Sequence, residues 1–181
     1  MKNQRQTQFL VVGLLTIGLP GCAAFFPELP VVDSVNLQQY AGKWYEIARY
    51  PNFFEQNCVG VTAEYTLLDD GQVEVVNTCR KDSLDGELDV ITGTARVADP
   101  ESNAKLRVRF FGPFEGDYWI IELDDQYQYA VVGEPSRSFL WILSRTPQLD
   151  QTIIDGIFER LPELGYDPDR LEFTPQETSD S

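Results

Sequence analysis

The side chains that most often run acid–base and nucleophilic chemistry are scarce in this chain. Its 181 residues include no histidine, the commonest general base and metal ligand near neutral pH. Nucleophile–histidine sites, and zinc sites that need imidazole, are thereby excluded. Carboxylates remain. Glu46, Glu64, Glu74 and Glu122 each fall in a strand-like stretch. Any of them could put an acid in an apolar interior, where burial would raise its pKa. No two of them have the spacing of a catalytic pair, so no catalytic residue, metal or cofactor is expected. The three cysteines are Cys22, Cys58 and Cys79.

The first cysteine belongs to a leader. Residues 1–8 are polar and positive, with Lys2 and Arg5, and residues 9–19 form an apolar run. That run is shorter than the ~20 residues that span a bilayer core and has the form of a secretory leader. It ends in Leu19-Pro20-Gly21-Cys22, which resembles the lipobox of bacterial lipoproteins. The resemblance implies a diacylglycerol on the Cys22 thiol and cleavage before Cys22, which becomes an acylated N-terminus. Ala23 behind it, in place of Asp, implies sorting to the outer membrane. Residues 1–21 therefore read as signal peptide. Residues 22–34, with Pro27 and Pro30, read as a lipidated tether in extended conformation.

The formal net charge is −15, from 14 basic and 29 acidic residues. Such a surface lacks the clustered cations that phosphate binding needs, so no nucleic-acid partner is expected. It also repels anionic headgroups. Attachment to a membrane must come from the anchor.

The elements that would position any site are strands. Residues 44–50 are rich in aromatic and β-favouring types and stop at Pro51-Asn52. Residues 59–68 and 72–78 flank Asp69-Asp70-Gly71, a hairpin signal. Residues 87–98 follow. Residues 105–111 alternate, with Leu106, Val108 and Phe110 on one face and Lys105, Arg107 and Arg109 on the other. Residues 117–123, 127–132 and 138–144 supply three more strands. Eight strands with short connections predict an all-β fold, one antiparallel meander closed into an up-and-down barrel. A barrel of that size can hold one small ligand. Residues 148–161 carry Leu149, Ile153, Ile154, Ile157 and Leu161 at helical spacing. This predicts a C-terminal α-helix capped by Asp150 and packed outside the barrel. Residues 171–173 suggest a short last strand, and the polar residues 174–181 a disordered tail.

Gly42-Lys43-Trp44 at the start of the first strand resembles the first motif of the lipocalins. Asp124-Asp125-Gln126-Tyr127 loosely matches the family's second motif, and Arg145 in Trp141-Ile142-Leu143-Ser144-Arg145 matches its third. Longer stretches, Trp44 to Arg49, Phe110 to Phe114 and Trp141 to Pro147, are similar to the bacterial outer-membrane lipocalins and their animal apolipoprotein relatives. The resemblance covers about residues 35–173. It implies that Trp44 plugs the narrow end with Arg145 laid over its indole, so that Gly42, Trp44 and Arg145 serve the fold rather than a ligand.

Strand parity then assigns the inward faces: Ala63 and Tyr65, Val75 and Asn77, Leu106, Val108 and Phe110, Tyr118 and Ile120, Trp141 and Leu143. A cavity site is an apolar wall with a few polar groups near its mouth. Tyr65, Val108, Phe110, Ile120 and Trp141 are the candidate wall. Asn77, Lys81 and Tyr118 are the candidate partners of a carboxylate or phosphate head. Phe53, Phe54, Phe111 and Phe114 fall in loops, as a rim of the mouth or as a membrane or homodimer contact. Cys58 and Cys79 are even in number and beyond the leader, which favours a disulfide. A straight hairpin register would instead set Cys58 against Asp82, and two free thiols stay open. The resemblance implies a carrier of fatty acids, palmitate among them, or lysophospholipids. It would be anchored on the periplasmic face of the outer membrane and would serve membrane maintenance. A carboxylate-dependent enzyme and a ligand-free structural barrel are the alternatives.

Overall fold

The structure, a computed structural model, describes residues 27–177. The leader, Cys22 and the first part of the expected tether lie outside the described residues. A single-turn helix α1 (Leu37–Tyr40) opens the fold, its free amides at Gln38 and Gln39 donating to the Asn36 side chain. Strands β1 (Gly42–Arg49), β2 (Cys58–Leu67), β3 (Val73–Lys81), β4 (Leu88–Val97), β5 (Lys105–Arg109), β6 (Gly116–Leu123), β7 (Tyr129–Gly133) and β8 (Leu140–Ser144) follow. Each is antiparallel to the next, and β1 also pairs with β8. The sheet is therefore a closed barrel of eight strands, which leaves no long unpaired edge. Helix α2 (Gln151–Arg160) and the short strand β9 (Glu172–Phe173) complete the chain, β9 lying antiparallel to β1.

Strand direction fixes two ends. β1 starts beside α1 and Trp44, at the floor, and the connections 68–72, 98–104 and 124–128 lie there too. The connections 50–57, 82–87, 110–115 and 134–139 gather at the opposite end, the mouth.

Alternation along the strands splits the apolar residues into two cores. Trp44, Val75, Leu106, Ile120, Val132 and Leu143 pack inside the barrel. Ile47, Val131 and Ile142 point outward and are covered by Ile154, Ile157 and Leu161 of α2 and the turn after it. The helical stripe is thus buried on the barrel wall, and the Asp150 carboxylate accepts from the Thr152 amide at 2.8 Å.

Both chain ends differ from expectation. The tether is not free from residue 27 onward. Leu29 is buried in the outer core, and the Val32 and Val35 amides donate to the carbonyls of Ile120 (3.1 Å) and Ser102 (2.7 Å). Leu29, between the two prolines, is buried against the wall, and Glu28 beside it pairs with Lys105. At the other end, the expected disorder does not begin at Thr174. The Thr174 amide donates to the Ile47 carbonyl at 3.0 Å, and the Pro175 carbonyl accepts from the Gly60 amide at 2.7 Å. The Gln176 side-chain amide donates to the carbonyls of Glu46 and Val61, each at 2.8 Å. β1 and β2 pair only from Gly42–Tyr45 to Thr62–Tyr65. Above that they part, and this C-terminal strap fills the seam.

Cys58 and Cys79 are joined in a disulfide, with their Cα atoms 5.4 Å apart. The straight register that opposed the pair is broken by a shift between Val59 and Thr62, which sets Cys58 against Lys81. Gly60 sits in that shift with φ +59°, a backbone conformation glycine adopts at little cost.

Candidate functional site: the barrel lumen

The floor is built around an indole. Trp44 is fully buried and donates from Nε1 to the Tyr40 carbonyl at 2.8 Å. The Arg145 guanidinium lies over its ring, 3.8 Å from the centroid, the geometry of a cation–π contact. The same guanidinium donates to the carbonyls of Lys43 (2.9 Å), Gln39 (2.7 Å) and Tyr127 (3.2 Å). One cation thereby ties α1, the start of β1 and the β6–β7 turn together. Gly42 beside it has φ +92°, which side-chain-bearing residues rarely adopt. Asp124 holds the β6–β7 turn by accepting from the Gln126 and Gln128 amides at 3.0 and 3.2 Å. The three motif segments found in the sequence meet here, as fold residues.

Above the indole lies a row of phenols. Tyr118 is hydrogen-bonded to Tyr40 at 2.7 Å and to Tyr65 at 2.9 Å. Burial pushes the Tyr40 and Tyr118 hydroxyls well up, and Tyr65 up to about 12, so all three stay neutral donor–acceptors. The space they enclose with Leu37, Val73, Ala95 and Leu106 measures about 10 Å³, room for roughly one water. Tyr118 was expected near the mouth. It points to the floor, because its hydroxyl closes a chain with tyrosines from α1 and β2. Tyr65 and Ile120 are buried in the same layer. These three line the bottom of the lumen, where both hydroxyls are hydrogen-bonded within the tyrosine chain.

Toward the mouth the lumen is different. Ala63, Asn77, Val108, Phe110 and Trp141 share the inward parity, as does Ile91 of β4, and each keeps part of its surface exposed. Phe110 lies across Gly93, where a Cβ would come within 2.6 Å of its ring. That glycine is what lets the ring turn inward. Asn77 sits between Ala63 and Ile91 in the ladder, and its Oδ1 is buried with no hydrogen-bond partner. Such an atom is uncommon. Lys81 stands at the rim on the same face, its ammonium 3.1 Å from the Asp89 carboxylate.

A buried charge cluster borders this space, and the sequence did not reveal it. The Trp141 indole donates to Glu55 at 3.2 Å. Arg49 Nε lies 3.5 Å from Glu55 and 3.3 Å from Glu46. Glu46, on the inward parity of Trp44, is pushed up to about 8, first by burial and next by the charge of Glu55. The hydroxyl of Thr174 donates to it. Arg49 pulls it down less, since Glu55 shares that cation. The other proposed acids are elsewhere. Glu64 is exposed, Glu74 has the parity opposite to the inward Val73 and Val75, and Glu122 points outward to Arg160 and Tyr129. The acids therefore do not converge on an accessible spot, and Glu46 is bound to the strap.

Comparison with known proteins agrees with this architecture. A lipocalin-like domain profile matches residues 35–176. Temperature-induced lipocalin-1 of Arabidopsis thaliana is 42% identical over 158 residues, covering 82% of this chain and 83% of its own length. The outer membrane lipoprotein Blc of Vibrio cholerae is 38% identical over 165 residues, covering 91% and 96% respectively. Among solved structures, insecticyanin from Manduca sexta superposes with a TM-score of 0.68 at 22% identity, covering 86% of this chain and 87% of that one. The protein built around this indole-sealed lumen belongs to the lipocalin family.

Proposed function

We propose that the protein is a lipid-binding outer-membrane lipoprotein that stores or carries single-chain lipids, fatty acids such as palmitate or lysophospholipids, in the mouth half of its barrel. The observation that carries this reading is the inward apolar layer of Ala63, Ile91, Val108, Phe110 and Trp141. Each of these side chains is only partly buried, and Asn77 among them has a buried Oδ1 with no hydrogen-bond partner. Apolar walls with one or two polar anchors suit an acyl chain whose head carries a hydroxyl or protonated group. Lys81 at the rim supplies a cation for a phosphate or carboxylate, in exchange with Asp89. The Tyr40–Tyr118–Tyr65 layer sets the depth to which a chain can enter. No catalytic step is proposed. The lipobox at Cys22, together with the name of the Vibrio cholerae relative, supports anchoring to the outer membrane, on its periplasmic face.

Native mass spectrometry of the chain purified from its own membrane tests this. The expected spectrum shows the protein with one bound single-chain lipid. A spectrum of ligand-free protein, unchanged after incubation with excess palmitate and lysophosphatidylcholine, overturns the reading.

A further inference from the structure

The mouth carries an apolar arc that the binding function does not use. Phe53 is 77% exposed and Phe54 49%, in the β1–β2 connection. Phe111 is 71% exposed and Phe114 81%, in the β5–β6 connection. These two loops flank the β7–β8 connection, whose Phe139 ring lies 5.6 Å from that of Phe54. The fourth mouth loop, between β3 and β4, carries Asp82, Asp85 and Glu87 instead. Large exposed aromatics grouped on one rim are unfavourable in water and mark a surface that is covered.

Where the chain enters says what covers it. Arg137, in the β7–β8 connection, donates to the Pro27 carbonyl at 2.8 Å. The first described residue thus lies against the β7–β8 connection, the mouth loop that the two phenylalanine-bearing loops flank. Cys22 is five residues before Pro27. A fully extended chain of that length spans at most about 18 Å, whatever path it takes. An acyl anchor at Cys22 therefore cannot lie far from this rim.

The geometry points to a membrane-docked orientation. The β1–β2, β5–β6 and β7–β8 loops rest in the headgroup region of a bilayer, and the lumen opens toward the lipid. The acidic β3–β4 loop tilts away. This inference rests on the anchor reading above and adds the orientation, which makes lipid exchange a direct transfer between bilayer and lumen. With a net charge of −15, the surface it suits is zwitterionic.

The test uses the lipidated full chain reconstituted into phosphatidylcholine vesicles with brominated acyl chains. A tryptophan is added at the mouth (Phe114→Trp) or at the floor turn (Asp70→Trp). Its emission is read against the unsubstituted chain. The expected result is co-sedimentation of both variants, with the added tryptophan at 114 losing at least half its intensity and that at 70 unchanged. Co-sedimentation with no quenching at 114 overturns the orientation and leaves the anchor standing. Failure to co-sediment overturns the anchor and the orientation with it. A dimer in sedimentation velocity that dissociates in the Phe111→Ser/Phe114→Ser variant assigns the arc to a second copy, and also overturns it.

Discussion

The floor and the mouth of this barrel are made from the same eight strands and behave as different materials. At the floor the inward polar groups are engaged with one another. Trp44 is covered by Arg145, the Arg145 guanidinium donates to backbone carbonyls, and the phenols of Tyr40, Tyr118 and Tyr65 form one hydrogen-bonded chain. At the mouth, inward groups stay partly exposed, Asn77 Oδ1 has no partner, and the β1–β2 seam needs the C-terminal strap to close it. The contrast separates the part that holds the fold together from the part proposed to bind. Close packing with satisfied polar groups sustains the fold, and the less complete region is where the proposed ligand would enter.

That division can be broken at several points. The largest effect is expected from Trp44→Ala, which empties the floor and should cost ~3–5 kcal/mol, read as a shifted urea midpoint. Removing the disulfide with Cys58→Ala/Cys79→Ala should cost roughly 3 kcal/mol if the cross-link acts on the unfolded chain. The denaturation curve of the reduced wild type should coincide with that of the variant. Glu46 gives a pH signature. Its folded pKa, about 8, lies above that of an unfolded carboxyl near 4.5, so the folded state holds the proton more tightly. Stability is then full below the unfolded value, declines as pH rises, and is lowest above 8. Glu46→Gln should flatten the fall in Tm between pH 5 and pH 9, and the variant should be the more stable protein at the alkaline end. A smaller stability change, about 1–3 kcal/mol because the added ring crowds Trp44 and Asn77 on the neighbouring strands, is expected for Ala63→Trp. The same substitution should weaken binding of lysophosphatidylcholine at least tenfold by fluorescence titration.

The sequence disclosed which side chains face the lumen better than the contacts that order its ends, for physical reasons. Strict alternation at Leu106, Val108 and Phe110, and the pairing of Trp141 with Leu143, placed those side chains correctly. Parity is a local property that needs no knowledge of partners. The Trp44–Arg145 contact was legible through the family motifs. What escaped depends on distant contacts. Thr174, Pro175 and Gln176 form a polar stretch without period, and they are ordered by hydrogen bonds to Glu46, Ile47, Gly60 and Val61. The register shift that unites Cys58 and Cys79 turns on one glycine, Gly60. Tyr118 had the right face and the wrong height, because parity tells inside from outside but not up from down. The cluster of Arg49, Glu55 and Trp141 joins a strand end, a loop and a strand far along the chain, and no spacing rule reports it.

On the proposed function, an acyl chain occupies the mouth half of the lumen and stops above the floor. Two single-tryptophan variants test it most directly, one keeping only Trp141 and the other only Trp44, each titrated with a fatty acid brominated along its chain. The expected outcome is saturable quenching of Trp141 at one ligand per protein, with Trp44 emission unchanged. Quenching of Trp44 as strong as that of Trp141, or of neither, would contradict the claim.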